Sequence, residues 1–285
     1  MEVLSKSMIE KWIVPHLSVG KRGAKAQVAL SDVVSAILHR LKTGEQWRWL
    51  PLKEFFAPDA ITWNGVYYYF NKWFKDGSFQ NAWIAILRAN KAHLDLSSLQ
   101  LDGSHTPAKQ GGEAVGYQGR KKAKTTNALF FSDKQGLPIA MAEPQAGNHN
   151  DVHEIKSLFE QMCRLLEDAG ISLKGVFINA DAGFLTESCG DTAELRAVCT
   201  EKEIEANIAD NPRNRETLSE EYQYFDEQLY KERFVIERAN AWLDGFSAGS
   251  FGKGLLVRYE KKLKSWMAQH WMAFCTFLLR KINSC

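Results

Sequence analysis

Hydrophobic spacing along the first third of the chain predicts helices. Between Ser31, a candidate N-cap, and Gly44, a candidate stop, apolar residues recur every three or four positions. A second helix with an aromatic stripe is predicted over residues 62–75, and a third follows Ser78. Short turns between such helices are typical of a helix-turn-helix module with residues 62–75 as its recognition helix, and a plain helical bundle is the structural alternative.

After Asp95 the pattern changes to short apolar strands that alternate with helices. Strands are predicted before Asp102, on both sides of a turn at residues 133–136, and over residues 175–180. An amphipathic helix over residues 151–168 separates the last two. This order predicts a mixed α/β sheet with helices packed on it.

Two long helical patterns complete the chain, over residues 218–245 and 255–282. We therefore expect two domains. An all-helical domain covers residues 1–95, and an α/β domain with a C-terminal helix covers residues 96–285.

Composition restricts the class of protein. Hydrophobic residues make up 45% and charged residues 25% of the 285 positions, as in soluble globular proteins. We find no apolar run of about 18 residues and no secretory signal pattern, so we expect a cytoplasmic protein without a membrane partner. Five cysteines without a CxxC pair argue against a disulfide framework and against a thiolate zinc site.

Positive charge is clustered, although the net charge is only +2. Residues 251–285 are basic and residues 201–232 acidic. A further cluster between positions 106 and 125 consists of Lys109, Arg120, Lys121, Lys122 and Lys124. Clustered cations are what a phosphate backbone requires of its partner, and a solvated surface is the alternative interpretation.

Two aspartates follow predicted strands and precede small residues. Asp102 comes before Gly103, and Asp181 comes before Ala182 and Gly183. A carboxylate at a strand end beside a small residue can face a ligand, and hard cations such as Mg²⁺ prefer oxygen ligands of this kind. Aspartates are also common as cap and turn residues, which is the structural interpretation of each one alone.

The predicted helix over residues 218–245 carries a polar stripe. Helical spacing sets five polar side chains on one face: Tyr230, Arg233, Glu237, Asn240 and Asp244. An ordinary ion pair between Arg233 and Glu237 is the structural alternative, since the two residues are four apart.

Taken together, these motifs resemble the DDE transposases of bacterial insertion sequences, in particular the insertion-sequence-five group. Residues 101–105 resemble the first aspartate strand of that family, and residues 179–183 resemble the second. Tyr230, Arg233 and Glu237 match its Y-(2)-R-(3)-E helix signature, and residues 147–151 resemble the stretch after its third strand. The resemblance extends over nearly the whole chain, including the helical N-terminal region.

The resemblance implies an RNase H-like catalytic domain behind a helical DNA-binding module. Asp102, Asp181 and Glu237 would then hold two Mg²⁺ ions, with Mn²⁺ as a substitute, for strand cleavage at element ends and strand transfer into target DNA. The implied partners are double-stranded DNA, as terminal inverted repeats and target, and a second copy of the chain. The implied location is the bacterial nucleoid.

Further DNA contacts are implied for Tyr230 and Arg233 and for the basic residues Arg120, Lys121, Lys122 and Lys124. The chain departs from the family pattern at Asp244, where a basic residue is expected. Lys253 or Arg258 could supply the missing phosphate contact.

Three other functions remain open at this point. An RNase H-like nuclease or a domesticated transposase would cut without inserting. A DNA-binding regulator on an inactive transposase scaffold would retain affinity for DNA and lack cleavage. A small-molecule metal hydrolase would show no salt-dependent DNA affinity.

Overall fold

The computed structural model describes residues 3–20, 27–185, 192–209, 225–245 and 255–283. Two compact units are present. The helical unit consists of Met1–Ala89, Lys109–Glu113 and Trp242–Cys285, and the sheet unit consists of Asn90–Ala108 and Ala114–Ala241.

The helices, in chain order, are α1 (Lys6–Trp12), α2 (Leu30–Thr43), α3 (Trp63–Lys75), α4 (Ser78–Asn90), α5 (Ile155–Asp168), α6 (Thr192–Glu201), α7 (Glu227–Lys231), α8 (Val235–Gly245) and α9 (Leu263–Asn283). The strands are β1 (Ser98–Pro107), β2 (Gly116–Gln118), β3 (Ala123–Asp133), β4 (Pro138–Met141), β5 (Gln145–Ala146), β6 (Phe177–Ala180) and β7 (Glu205–Ile208). None of the helices in the described part of the chain is long and apolar enough to cross a membrane.

Helix α2 confirms the predicted stop and corrects the predicted start. Gly44 adopts a left-handed conformation with φ of 70° and ends the helix. Ser31 is not the N-cap, because the helix already begins at Leu30. The Ser31 hydroxyl instead donates a hydrogen bond to Glu10 Oε1 at 3.0 Å. The hydroxyl predicted to cap α2 therefore binds a residue that is distant in sequence.

The core of the helical unit is aromatic. Phe70 and Trp73 of α3 and Trp83 of α4 are buried, as is almost every position of α9 before Arg280. The Trp83 and Phe274 rings pack edge to face with centroids 5.5 Å apart. Helix α9 belongs to the helical unit, whereas its place in the chain predicted the α/β domain, because periodicity identifies an apolar face without identifying the element that covers it.

The sheet unit confirms a mixed α/β architecture. The strand order is β2-β3-β1-β6-β7, with β4 and β5 also paired to β3. Strand β3 runs antiparallel to β1, whereas β6 and β7 run parallel to β1. Helix α5 packs its apolar face on this sheet, where the Phe159 and Phe131 rings meet with centroids 5.3 Å apart.

The predicted turn at residues 133–136 is present as the β3–β4 turn. Asp133 Oδ1 accepts hydrogen bonds from the backbone N–H groups of Gln135 and Leu137 at 3.0 and 2.8 Å. Gly136 adopts φ of 80°, which a glycine tolerates without strain.

The predicted helix over residues 218–245 is divided. Residues 218–224 lie outside the described residues, and a 3-10 turn at Glu232–Phe234 separates α7 from α8. Asp226 caps α7 by accepting a hydrogen bond from Leu229 N at 2.8 Å. The amphipathic pattern continues through the break, so periodicity alone did not reveal it.

Candidate active site

Asp102 lies inside β1 and not at its end. Its Cα pairs with Phe130 of β3, and the antiparallel pairing continues to Pro107 opposite Thr125. The prediction of a strand end at this residue was wrong. The half-buried residues after Asp102 no longer alternate between apolar and polar, although they remain hydrogen-bonded to β3.

Strand β6, which pairs with the other edge of β1, ends just before the position of Asp102. Parallel pairing with β6 stops at Leu101 opposite Ala180, and Asp181 is the next residue after β6. Asp102 and Asp181 are therefore the residues that directly follow the last pair of this parallel ladder. The sheet pairs the strand positions that precede the two aspartates, although these positions are far apart in sequence.

Glu237, the third predicted acid, is exposed in the first turn of α8. Asn240, one turn further along α8, donates a hydrogen bond from Nδ2 to Asp102 Oδ2 at 3.3 Å. The charge of Glu237 contributes to the pKa of Asp102, as described below. Helix α8 therefore presents its polar stripe to the aspartate on β1.

The pKa of Asp102 is raised from 3.8 to about 6. Burial is the largest cause, and the negative charges of Asp151 and Glu237 add to it, whereas the Gly103 N–H and the Arg233 guanidinium oppose it. Arg233 does not fully compensate the burial and the neighbouring negative charges, and a bound cation is one means of supplying further positive charge.

Asp151 is a fourth acid that sequence reasoning did not assign to the site. Its carboxylate lies against the backbone of Gly103, where an added Cβ would come within 2.2 Å of Asp151 Oδ1. Asn127 Nδ2 donates to that oxygen at 2.8 Å, and His105 Nε2 lies 3.9 Å from it. The signal was Gly103 itself, since a glycine after the strand aspartate leaves space that another side chain occupies.

The residue types of this site fit a divalent metal ion, since carboxylate oxygens are the ligands that Mg²⁺ prefers. Across the described ranges, no three His, Cys, Asp or Glu side chains converge closely enough to hold one ion. The carboxylates thus lie in an open arrangement, with Asp102 the most deeply buried of the three predicted ligands.

A ladder of buried amides crosses the sheet beneath the site. Gln100, Asn179 and Asn207 occupy matching positions on β1, β6 and β7. Asn179 Nδ2 donates to Gln100 Oε1 at 2.9 Å, and Asn207 Nδ2 donates to Asn179 Oδ1 at 2.7 Å. Sequence analysis missed this ladder, because polar residues inside a strand reveal their partners only once the register is known.

The amide ladder also binds the backbone around the start of α7. Asn207 accepts a hydrogen bond from Asp226 N at 2.8 Å and donates to Asp226 O at 3.0 Å. Asn179 Nδ2 also donates a hydrogen bond to Leu229 O at 3.2 Å. The segment immediately before Tyr230 is thereby attached to the sheet.

Tyr230 and Arg233 of the helix signature lie on opposite sides of the α7 boundary and contact each other. The Arg233 guanidinium lies 5.7 Å from the centroid of the Tyr230 ring, within the range of a cation–π contact. Both side chains are half-buried. Arg233 is thus held near Asp102 by an aromatic ring and not by the alternative ion pair with Glu237.

The β3–β4 turn packs against the start of α8. A Cβ at Gly136 would lie 2.6 Å from Val235 O, so the turn backbone approaches the helix directly. Lys134 Nζ lies 3.2 Å from Glu232 Oε2 in a salt bridge, and Arg238 donates to Gln135 O at 3.4 Å. These contacts support the helix that carries Glu237.

The predicted DNA-contacting residues have different environments. Arg120, Lys121, Lys122 and Lys124 are exposed. They lie in and after the β2–β3 connection, which is a hairpin with Lys121 Nζ donating to His105 O at 2.9 Å.

The C-terminal candidates do not form a similar surface. Arg258 is only 1% exposed, and its guanidinium donates to Glu260 O at 2.8 Å and to Lys261 O at 3.3 Å. It is therefore not presented to a phosphate backbone, because backbone carbonyls occupy its donors. Lys253 lies outside the described residues, and Asp244 is exposed near the end of α8.

Comparisons with known proteins agree with the motifs. A family model described as "DDE superfamily endonuclease" matches residues 101–279, and one described as "Putative transposase of IS4/5 family" matches residues 7–83. None of the curated proteins compared with the chain matches it. A cryo-EM structure of the piggyBac transposase synaptic complex with hairpin DNA is similar over 98% of this chain and 73% of that chain, at 10% identity and a TM-score of 0.49.

The first family model extends over more than half of the chain and contains all three predicted acids, and the second covers α1 to α3. The resemblance inferred from the motifs is therefore confirmed. The chain belongs to the DDE superfamily endonucleases, and it is a DNA transposase of the IS4/5 type.

Proposed function

We propose that this transposase cleaves element ends and joins them to target DNA by two-metal phosphoryl transfer, with Asp102, Asp181 and Glu237 as the ligands of two Mg²⁺ ions. The observation that supports the proposal is the register of β1 against β6, whose last pair, Leu101 opposite Ala180, directly precedes Asp102 and Asp181. The bond from Asn240 to Asp102 supports the third assignment, since it brings α8 and Glu237 to the same strand.

Each acid contributes differently to this site. Asp102 provides a buried negative charge. Asp151 and Glu237 repel this charge, and a bound cation would relieve the repulsion. The Asn240 amide and the Gly103 N–H restrict the rotation of the Asp102 carboxylate. The chemistry that Mg²⁺ would supply at these carboxylates is activation of the attacking water or 3′-hydroxyl and stabilisation of the leaving oxygen. Exposed Asp181 and Glu237 remain accessible to the DNA backbone.

DNA is held by cations near the acids and further along the sheet. Arg233, packed on Tyr230, is suited to anchor a phosphate next to the cleaved one. The exposed hairpin cations Arg120, Lys121, Lys122 and Lys124 extend this contact to flanking or target DNA. Binding is then expected to weaken steeply with salt. A homodimer on DNA follows from the need to hold two element ends together.

The RNase H-like assignment of the sheet unit belongs to the same proposal. A central β1 between antiparallel β3 and parallel β6, with acids on β1 and after β6, supports it. The helical N-terminal module is proposed as the part that recognises terminal inverted repeats, with α3 as the recognition helix.

The test is cleavage of duplex DNA that carries the terminal inverted repeats of the encoding element. We expect cleavage with Mg²⁺ or Mn²⁺ and none without a divalent cation. Asp181→Ala should abolish it while DNA binding persists. Asp168→Asn, which changes an exposed aspartate at the end of α5, is the control and should cleave normally. Cleavage by Asp181→Ala at the normal rate would refute the ligand assignment.

A further inference from the structure

The helical unit contains a cleft of about 410 Å³ between α3 and the chain after residue 255. This volume is within the range of about 300–1,000 Å³ that is usual for small-ligand sites. Six of the lining residues are Trp47, Trp63, Tyr67, Tyr259, Glu260 and Lys262. All of them belong to the helical unit and lie outside the acidic site of the sheet unit.

Aromatic rings form the walls of this cleft. Tyr67 is 38% exposed and Tyr259 is 47% exposed, so both present ring surface to solvent. The Trp47 and Tyr67 rings meet edge to face with centroids 5.3 Å apart, and the Arg40 guanidinium lies 5.0 Å from the Trp47 ring centre. The walls therefore offer flat aromatic faces to a ligand.

A carboxylate with one unused oxygen lies in the same cleft. Glu260 Oε1 accepts from Arg40 at 3.2 Å and from Gln269 Nε2. Glu260 Oε2 and Gln269 Oε1 are both buried and have no hydrogen-bond partner among the described residues. Gln269 itself is only 2% exposed. A buried acceptor without a donor is unfavourable, so Glu260 Oε2, on a residue that lines the cleft, is suited to accept an N–H group of a ligand.

The rim of the cleft is positively charged. Lys261 and Lys262 line it and are exposed, whereas Arg40 is engaged with Glu260. Two exposed lysines beside aromatic faces suit a ligand that combines a flat ring with negative charge.

The geometry points to a pocket for one unstacked nucleobase of the bound DNA, with guanine preferred. The base would stack on Tyr67 and Tyr259 while Lys261 and Lys262 take the flanking phosphates. Guanine carries two adjacent donors, N1–H and the N2 amino group, which match the carboxylate of Glu260 in the lining of the cleft. Thymine offers a single N–H between two acceptors and is disfavoured beside a carboxylate. This inference rests on the proposed function only in taking DNA as the ligand.

Single-stranded pentanucleotides test this pocket directly on the full chain. The probes are five thymidines, and the same strand with guanine or with hypoxanthine at the centre, each with a fluorophore at one end. Fluorescence anisotropy gives the affinities. We expect the guanine strand to bind about 5- to 100-fold more tightly than the all-thymine strand. Hypoxanthine, which lacks the N2 amino group, should be intermediate.

Variants separate stacking from base recognition. Tyr67→Ala and Tyr259→Ala should each weaken the guanine strand by at least about fivefold. Tyr68→Ala is the matched control, because Tyr68 is an exposed tyrosine of the same helix that does not line the cleft, and it should change affinity less than twofold. Glu260→Gln should remove the guanine preference. The probe series on the unchanged protein decides the question if that variant does not fold.

Equal affinity for the three central bases would overturn the inference, as would equal losses in Tyr67→Ala and Tyr68→Ala. Failure of the pocket can be distinguished from failure of the proposed function. If duplex cleavage with Mg²⁺ persists while the pentanucleotides bind without preference, only the pocket is wrong. If guanine-selective binding is found without any divalent-dependent cleavage, only the metal mechanism is wrong.

Discussion

The core of the helical unit and the acidic edge of the sheet unit are built from opposite kinds of residue. Around Trp83 and Phe274, aromatic side chains fill space and the chain gains stability by removing them from water. Around Asp102, buried charge and buried amides cost stability unless each finds a partner. The first region determines whether the chain folds, and the second determines what the folded chain can do.

The largest effect is expected for a substitution of Asp102, which should change cleavage and stability in opposite directions. Asp102→Asn should lower DNA cleavage by at least about a thousandfold, since the change removes a ligand of the proposed metal site. The same change removes a buried charge that Asp151 and Glu237 repel, so the free energy of unfolding of the metal-free protein should rise by about 1–3 kcal/mol.

Cleavage assays and urea unfolding without divalent ions measure the two effects. Loss of stability together with activity would mean that Asp102 is a structural residue and that the contrast between the regions is wrong. Mg²⁺ should raise the melting temperature of the unchanged protein and not that of the variant.

Removing a buried aromatic ring from the helical unit should lower stability and leave cleavage nearly unchanged. Phe274→Ala should cost about 3–5 kcal/mol of unfolding free energy, because the Phe274 ring is fully buried against Trp83 and Trp271. Cleavage per folded molecule should change little. Trp49→Ala removes an aromatic ring that is 71% exposed and should cost less than about 0.5 kcal/mol.

The stability of the helical unit should depend on pH through the buried histidine His270. Burial lowers the pKa of His270 from 6.5 to about 4. Above pH 6.5 the residue is neutral in both states and has no effect. Between pH 6.5 and 4 the unfolded chain takes up a proton that the folded chain refuses, so stability falls by up to about 3 kcal/mol.

His270→Gln should lose this part of the acid dependence. Urea unfolding at pH 7, 6 and 5 measures the slope, and His93→Gln serves as the control because His93 is exposed. An unchanged slope in His270→Gln would show that His270 does not account for the acid sensitivity.

The smallest effect concerns the amide ladder. Asn207→Ala leaves Asn179 and the Asp226 backbone without their partners and should cost about 1–3 kcal/mol. We expect hydrogen exchange to increase around residues 226–231 and the cleavage rate to fall about tenfold, since Tyr230 and Arg233 follow this segment. Asn150→Ala, an exposed asparagine of the same unit, should behave normally. Unchanged exchange would mean that the ladder does not hold α7.

The sequence predicted what depends on local pattern. The stop at Gly44, the turn at residues 133–136 and strand β6 follow from residue type and spacing alone. The three candidate acids were found because each has a distinctive local setting: two strand aspartates beside small residues and a glutamate within a spaced helix signature.

What depends on partners distant in sequence could not be predicted. Continued pairing with β3 keeps Asp102 inside a strand, and Asn207 binds the Asp226 backbone at the start of α7. Asp151 joins the site only because Gly103 leaves space for it. Arg258 was expected at a surface and is buried, since charge in a sequence does not reveal which carbonyls will surround it.

The β3–β4 turn limits the position of the helix that bears Glu237. Gly136 can carry no side chain, both because of its backbone angle and because Val235 O lies in the way. An inserted residue, or any bulk in this turn, would push on the end of the helix that bears Glu237. The β3–β4 turn therefore acts as a spacer that sets the position of the helix bearing Glu237.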